Sequence, residues 1–221
     1  MKLSEIINEE INEMAYPASF SMEAFKNARS FAAKAKYCAE RLQRISSGSG
    51  RIVYKIDEEK VLKLAKNQKG IAQNEMESDQ YVQQQYGDIV TKCFEWDDTD
   101  NYWVEMELAQ KMSAGEFKRI VGVPLNGENS LEMWLTQTFK NTREKVSPEV
   151  NEFLGESEFG YSLQDFIGSY GMQMYDLFRL SSWGKVKRDG KDAAVIVDFG
   201  LSEGVWKDHY APKNNKIGGK L

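Results

Sequence analysis

Lys63 is the charged residue whose position most favours a chemical role. It lies inside the apolar run Val61-Leu62-Lys63-Leu64-Ala65, and strand alternation places it on one face with Val61 and Ala65. A lysine on such a face is costly unless a carboxylate or a phosphate meets it. Lysine is also common on edge strands, where its ammonium reaches solvent. The run therefore predicts either an anion-binding lysine or an exposed edge strand.

Two acidic residues follow on the next predicted helix, over residues 70 to 86. At about 100° per residue, Glu75 shares a helix face with Ile71 and Val82, whereas Glu77 falls to one side of that face. This periodicity favours Glu75 as the carboxylate that packs inward toward Lys63. Glu77 stays open as the alternative, and solvation of both acids is the ordinary structural reading.

Two further segments are suited to binding phosphate and metal. Gly48-Ser49-Gly50 precedes the first strand pattern, and a loop without bulky side chains lets backbone N–H groups approach a phosphate. It is not a P-loop, because no Lys-Ser or Lys-Thr follows it, and the same composition also forms ordinary turns. Asp198 ends the apolar run 193 to 197, with Gly200 two residues later, which is a suitable position for a magnesium ligand.

The spacing of apolar residues, which distinguishes helices from strands, changes several times along the chain and predicts the elements that position these residues. A turn is expected over Ser46 to Gly50, a β-hairpin turn over Arg188 to Lys191, and a loose tail over the last dozen residues. Helices are expected over residues 3 to 14, 22 to 42, 70 to 86, 116 to 121, 130 to 141 and 162 to 175. Strands are expected over residues 51 to 56, 61 to 65, 88 to 96, 102 to 108, 185 to 187 and 193 to 197.

The composition argues against several classes of function. The chain has 221 residues, with 29 Lys+Arg against 34 Asp+Glu, and its net charge of -5 gives no field that attracts nucleic acid or an anionic membrane. His209 is the only histidine, and Cys38 and Cys93 are the only cysteines, so a closed structural zinc site cannot form. Two separated cysteines suit a reducing compartment, and the sequence shows neither a signal peptide nor a membrane span. We therefore expect a cytoplasmic protein that acts on neither nucleic acid nor membranes.

Taken in order, these segments resemble the protein kinase family. The glycine-rich loop, the strand lysine in Val61-Leu62-Lys63-Leu64, the helix carboxylate and Val197-Asp198-Phe199-Gly200 follow one another as they do in that family. The strand Trp103 to Leu108 resembles the family's fifth strand and hinge. The resemblance covers residues 46 to 206 and implies a protein that uses ATP and Mg²⁺.

The resemblance implies roles on the phosphate side of the site. Gly48, Ser49 and Gly50 would cover the phosphates, and Lys63 would hold the α- and β-phosphates. Either of the two helix glutamates would orient Lys63, and Asp198 would bind magnesium.

The resemblance also implies roles on the adenine side and in the catalytic loop. Met106 would be the gatekeeper residue, and the backbone from Glu107 to Ala109 would read adenine. Asp176, in Tyr175-Asp176-Leu177, would be the base that accepts a hydroxyl proton. Ser181 stands where the family has a magnesium-binding Asn, and its hydroxyl is a poorer ligand for a hard cation.

The chain departs from the family in the loop and after Gly200. Val53 stands where the third glycine of the loop is expected, and too few residues follow Gly200 for an activation segment and peptide-binding helices. The expected fold class is therefore α+β, a two-lobed protein kinase-like fold of the short atypical kind found in bacteriophages. It divides into an N-terminal helical extension over 1–45, a small antiparallel-sheet N-lobe over 46–108 and a truncated helical C-lobe over 109–221.

The function that this resemblance implies is an ATP- and magnesium-dependent phosphotransferase, acting on a hydroxyl of a protein or a small molecule. The alternative is a pseudokinase, a nucleotide-binding or nucleotide-free interaction module without phosphotransfer. Nucleotidyl transfer to a protein is a further alternative. A nucleotide is the expected partner, and a protein could dock through the N-terminal helices.

Overall fold

The structure is a computed structural model that describes residues 16–140 and 142–211. It is a mixed α/β arrangement with a five-stranded antiparallel sheet in the first half of the chain. The helix expected over residues 3 to 14, and most of the expected C-terminal tail, lie outside the described residues. In the part of the chain that the structure describes, no helix combines the length and apolar character needed to cross a membrane.

The five-stranded sheet has β3 at its centre. Its strands run in the order β1-β2-β3-β5-β4, and they are β1 (Gln43–Ser47), β2 (Arg51–Lys55), β3 (Lys60–Ala65), β4 (Cys93–Trp96) and β5 (Trp103–Glu107). The turn expected from Ser46 begins two residues later, because Ser46 and Ser47 pair with β2. Across the β2–β3 ladder Arg51 lies opposite Ala65 and Val53 opposite Lys63, so Arg51 and Lys63 share one face of the sheet.

Among the described residues four helices accompany this sheet, where two long ones were expected over residues 22 to 42 and 70 to 86. They are α1 (Met22–Asn27), α2 (Phe31–Arg41), α3 (Gln68–Ser78) and α4 (Gln80–Tyr86). Each break falls at a residue whose side chain caps the following helix: Ser30 Oγ accepts from the Ala33 amide at 3.1 Å, and Asp79 Oδ1 accepts from the Tyr81 amide at 2.8 Å. Capping residues compete with helix continuation, so local chemistry outweighs the longer apolar pattern.

Both faces of β3 are covered. Phe25 of α1 and Cys38 of α2 are fully buried in an apolar cluster with Leu62, Leu64 and Trp103, while α3 packs on the other face. Every residue from Val61 to Ala65 is therefore buried, and the exposed edge-strand alternative for this run is wrong. Docking of a protein partner through the N-terminal helices stays a prediction.

The second half of the described chain is mostly helical. It contains α5 (Ala114–Val121), α6 (Leu131–Phe139), α7 (Pro148–Glu156), α8 (Glu158–Tyr170), two 3₁₀ turns (Met174–Phe178 and Leu180–Ser182) and α9 (Glu203–His209). A second antiparallel sheet has the order β6-β7-β8, formed by β6 (Gln110–Lys111), β7 (Trp183–Arg188) and β8 (Lys191–Ile196). The expected hairpin is present, with Asp189 and Gly190 at φ of 50° and 78° in its two-residue turn.

The end of β8 is hydrogen-bonded to the chain that leads into β4. Ile196 donates its amide to Ile89 O at 2.8 Å and accepts from the Thr91 amide at 3.1 Å. After Gly200, α9 packs on α3. These contacts bring Asp198, which lies two residues after the end of the strand, to the buried face of α3.

Candidate functional site

Lys63 projects from β3 and is 6% exposed. Its Nζ donates to Glu77 Oε2 at 2.7 Å and to Val197 O at 2.8 Å. Among the described residues these are its two acceptors, and an ammonium group carries three hydrogens. One donor of Lys63 can therefore serve a ligand without loss of either protein contact.

Glu77, not Glu75, is the carboxylate that meets Lys63. Glu77 is fully buried, whereas Glu75 is exposed, so the expectation that Glu75 faces inward is wrong. The reason is that the buried face of α3 is largely polar, formed by Gly70, Gln73, Asn74, Glu77 and Ser78. Apolar periodicity cannot locate a buried face that consists of polar residues.

Arg51 is a member of the site that no sequence motif indicated. It opens β2 directly after the glycine-rich loop, and its side chain is 7% exposed. Its two terminal nitrogens hold the Glu77 carboxylate bidentately, Nη1 to Oε2 at 2.7 Å and Nη2 to Oε1 at 2.9 Å. Nη1 also donates to Asn74 Oδ1 at 3.3 Å, and Nη2 donates to Asp198 Oδ1 at 2.5 Å.

The charges of this cluster are mutually stabilising. Burial raises the pKa of Glu77, but the charges of Arg51 and Lys63 outweigh burial and hold the pKa at about 2. Burial lowers the pKa of Arg51, and the charges of Glu77 and Asp198 reverse this and raise it above its usual value. Two cations, Arg51 and Lys63, thus lie against the carboxylates of Glu77 and Asp198, and Glu77 stays ionised at neutral pH.

The segment Asp198-Phe199-Gly200 follows β8 in the chain and contacts α3. Phe199 is fully buried, while the side chain of Asp198 is 61% exposed beyond its contact with Arg51. The Gly200 amide donates to Glu77 Oε1 at 3.3 Å. A Cβ at Gly200 would lie 2.6 Å from Gln73 O, so only glycine allows this approach to the helix backbone.

Asp176 lies in the first 3₁₀ turn, next to this segment. Ser182 Oγ donates to Asp176 O at 2.6 Å, and Ser182 O accepts from the Val197 amide at 2.9 Å, which ties the turn to the end of β8. Burial raises the pKa of Asp176, Arg179 opposes this from 3.6 Å, and the charge of Asp198 adds to the rise. Asp176 therefore lies in a turn that is hydrogen-bonded through Ser182 to Val197, the residue before Asp198.

The glycine-rich loop packs on the start of α3. Gly48 O accepts from Lys66 Nζ at 2.8 Å, Ser49 O from Asn67 Nδ2 at 3.0 Å, and Gly50 O from the Lys66 amide at 2.7 Å. A Cβ at Gly50 would lie 2.7 Å from the side chain of Gln73. The loop carbonyls are thus held by protein donors beside Arg51.

The segment assigned to adenine continues directly from β5. Met106 is fully buried. The Glu107 amide donates to Lys92 O at 2.8 Å, and the Leu108 amide donates to Glu59 O at 2.6 Å. Ala109 packs against β7, where a Cβ on Gly184 would lie 2.4 Å from the Ala109 Cβ. Adenine recognition by this segment stays a prediction.

Asp198 and Ser181, the residues to which the resemblance assigns magnesium, do not form a metal site from protein ligands alone. Oδ1 of Asp198 already accepts from the Arg51 guanidinium, and Ser181 is exposed on the second 3₁₀ turn. Over residues 16–140 and 142–211, no group of three or more His, Cys, Asp or Glu side chains is arranged to hold a metal ion. A protein-held cation at Asp198 would share its carboxylate with a fixed guanidinium.

Comparisons with known proteins add little to this description. A scan against protein-family models found no match, and a search of curated proteins found no similar sequence. Among solved structures, the chain is similar to SAICAR synthase from Saccharomyces cerevisiae complexed with SAICAR, with 12% identity, a TM-score of 0.32, and coverage of 73% of this chain and 74% of that one. It is also similar to the GDP and kanamycin complex of APH(2")-IIia, with 11% identity, a TM-score of 0.33, and coverage of 89% and 73%. Scores this low carry no argument, so the proposals below rest on contacts within this chain.

Proposed function

We propose that this chain is a kinase-like nucleotide-binding protein that holds the phosphates of ATP at Lys63. The observation that carries the proposal is the buried contact of Lys63 with both Glu77 and the carbonyl that precedes Asp198. These two contacts hold the Lys63 ammonium between α3 and the end of β8. They also compensate for its burial, because an unpaired ammonium would be too costly to bury. The glycine-rich loop directly precedes Arg51 on the neighbouring strand, and a Cβ at Gly48 would meet nothing within 4 Å.

The adenine side of the proposal follows from the hinge contacts. The amides of Glu107 and Leu108 are engaged with protein carbonyls. We therefore assign the adenine contact to the Ala109 amide, next to the strand that carries the buried Met106.

The test is ATP binding, measured as a shift of the thermal unfolding midpoint. At about a hundredfold excess over Kd, ATP should raise the midpoint by about 5 to 10 °C. Lys63→Met should abolish the shift yet fold, because Arg51 still neutralises Glu77. Lys55→Met is the matched control, since Lys55 contacts the exposed Glu58 on the same sheet. Absence of any shift in the wild type would refute the proposal.

Phosphoryl transfer is a second candidate, favoured by the position of Asp176. Its turn is hydrogen-bonded through Ser182 to Val197, which precedes Asp198, and burial raises the pKa of its carboxyl group, which makes it a better proton acceptor. In this reaction an acceptor hydroxyl attacks the γ-phosphoryl group, ADP leaves, and the hydroxyl proton passes to Asp176.

Asp176→Asn separates the two candidate functions. We expect it to abolish any transfer of radiolabelled γ-phosphate, or autophosphorylation, while the ATP-induced thermal shift remains. Its own midpoint should not fall, because the amide removes a half-buried charge. Transfer that survives in this variant would exclude Asp176 as the base.

A further inference from the structure

Arg51 makes three contacts with buried partners and one with an exposed partner. Glu77 and Asn74 are both fully buried, and they accept three of the hydrogen bonds from its terminal nitrogens. The fourth bond runs from Nη2 to Oδ1 of Asp198, whose side chain is 61% exposed. Asp198 is therefore the partner that can leave while the guanidinium keeps its place.

The carboxylate of Asp198 lies where an anionic ligand oxygen would be received. Arg51 and Lys63 both donate to Oε2 of Glu77, so the guanidinium and the ammonium lie side by side. Carboxylate and phosphate oxygens are equivalent acceptors for a guanidinium. Exchange of the Asp198 oxygen for a phosphate oxygen keeps the hydrogen bonds of Arg51 and brings the free donor of Lys63 to the same ligand.

We propose that Arg51 and Lys63 together form the phosphate-binding pair of this site, with Arg51 in the place of a divalent cation, so that nucleoside polyphosphates bind in metal-free form. The inference rests on the proposed nucleotide-binding function and specifies the form of its ligand. A metal chelate held by Asp198 would place a divalent ion next to the Arg51 guanidinium. Like charges at that separation repel strongly where solvent is partly excluded.

Calorimetric titration of the full chain with ATP tests this directly. One titration contains EDTA and the other contains excess magnesium chloride. We expect the affinity in EDTA to equal or exceed that with magnesium. A magnesium-dependent site would instead lose at least tenfold in affinity when the metal is chelated.

Asp198→Asn gives the sharper result, because it should raise the ATP affinity of a metal-free site and lower that of a magnesium-dependent site. A neutral amide competes less for Arg51, so metal-free ATP should bind about two- to fivefold more tightly. Asp192→Asn is the matched control. It removes the same charge at the far end of β8, where Asp192 pairs with Arg119 and Lys187, and it should leave the affinity unchanged.

Arg51→Gln removes the proposed cation and should weaken metal-free ATP binding by about tenfold or more. Circular dichroism checks that this buried substitution folds, and Asp198→Asn decides the question if it does not. A wild type that needs magnesium, with an Asp198→Asn variant that loses ATP, would overturn the inference and leave nucleotide binding intact. Failure of the wild type to bind ATP in both buffers would overturn the proposed function itself.

Discussion

Replacing Glu77 by glutamine is expected to lower the free energy of unfolding by about 3 to 5 kcal/mol, the cost of breaking a buried ion pair. Glu77 is fully buried and pairs with both Arg51 and Lys63. The neutral amide leaves two buried cations facing the single remaining carboxylate of Asp198. Urea unfolding followed by tryptophan fluorescence measures the loss.

Glu75→Gln is the matched control, since it makes the same change two residues earlier on the exposed side of α3. Its effect should stay within about 0.5 kcal/mol. The Glu77 effect should also depend on pH. Because its pKa is about 2 against a usual 4.5, its contribution is complete above pH 4.5 and disappears as the pH falls toward 2. Equal effects of the two substitutions, or a Glu77 effect that is constant across this pH range, would contradict the buried ion cluster.

Gly70→Ala should destabilise the protein by about 1 to 3 kcal/mol, the range for overpacking a tight contact. A Cβ at Gly70 would lie 2.2 Å from Gly50 O and 2.9 Å from the Ala65 Cα. These are backbone atoms, so the new methyl group must push the glycine-rich loop away from α3. We therefore expect weaker ATP binding in addition to lower stability, with faster amide exchange at residues 48 to 50.

Gly115→Ala is the opposite case and serves as the control. Gly115 also lies in the first turn of a helix, α5, but a Cβ there meets nothing within 4 Å. The substitution should stabilise the protein by about 0.5 to 1 kcal/mol through helix propensity alone. If both alanine variants prove stabilising, the packing of the loop on α3 is wrong.

The positions of Lys63 and Asp198 were accessible from the sequence because each interrupts or ends an apolar strand pattern. Strand alternation and the cost of a buried ammonium favoured an anionic partner for Lys63, although they left an exposed edge strand open as the alternative. The β7–β8 hairpin was accessible for a similar reason, since Asp189 and Gly190 tolerate the positive φ of a two-residue turn.

Glu77 and Arg51 were not accessible by the same rules. Helical periodicity ranks faces by apolar residues, and the buried face of α3 carries Gln73, Asn74 and Glu77. Arg51 looked like an ordinary strand residue beside a turn. The usable signal was the register of β2 and β3, which places Arg51 and Lys63 on one face, but that register depends on the length of the turn between the strands. The helix breaks at Ser30 and Asp79 were missed because capping was weighed only at the ends of long patterns.

The contact between Arg51 and Asp198 spans 147 residues of sequence. Loop-closure entropy opposes a contact this distant until both halves of the chain have formed their own elements. During synthesis at about 5 to 20 residues per second, Arg51 leaves the ribosome about 7 to 30 seconds before Asp198 does. From the emergence of Glu77 until that of Asp198, the nascent chain carries Arg51, Lys63 and Glu77 without the second carboxylate, so these three side chains have one positive charge in excess.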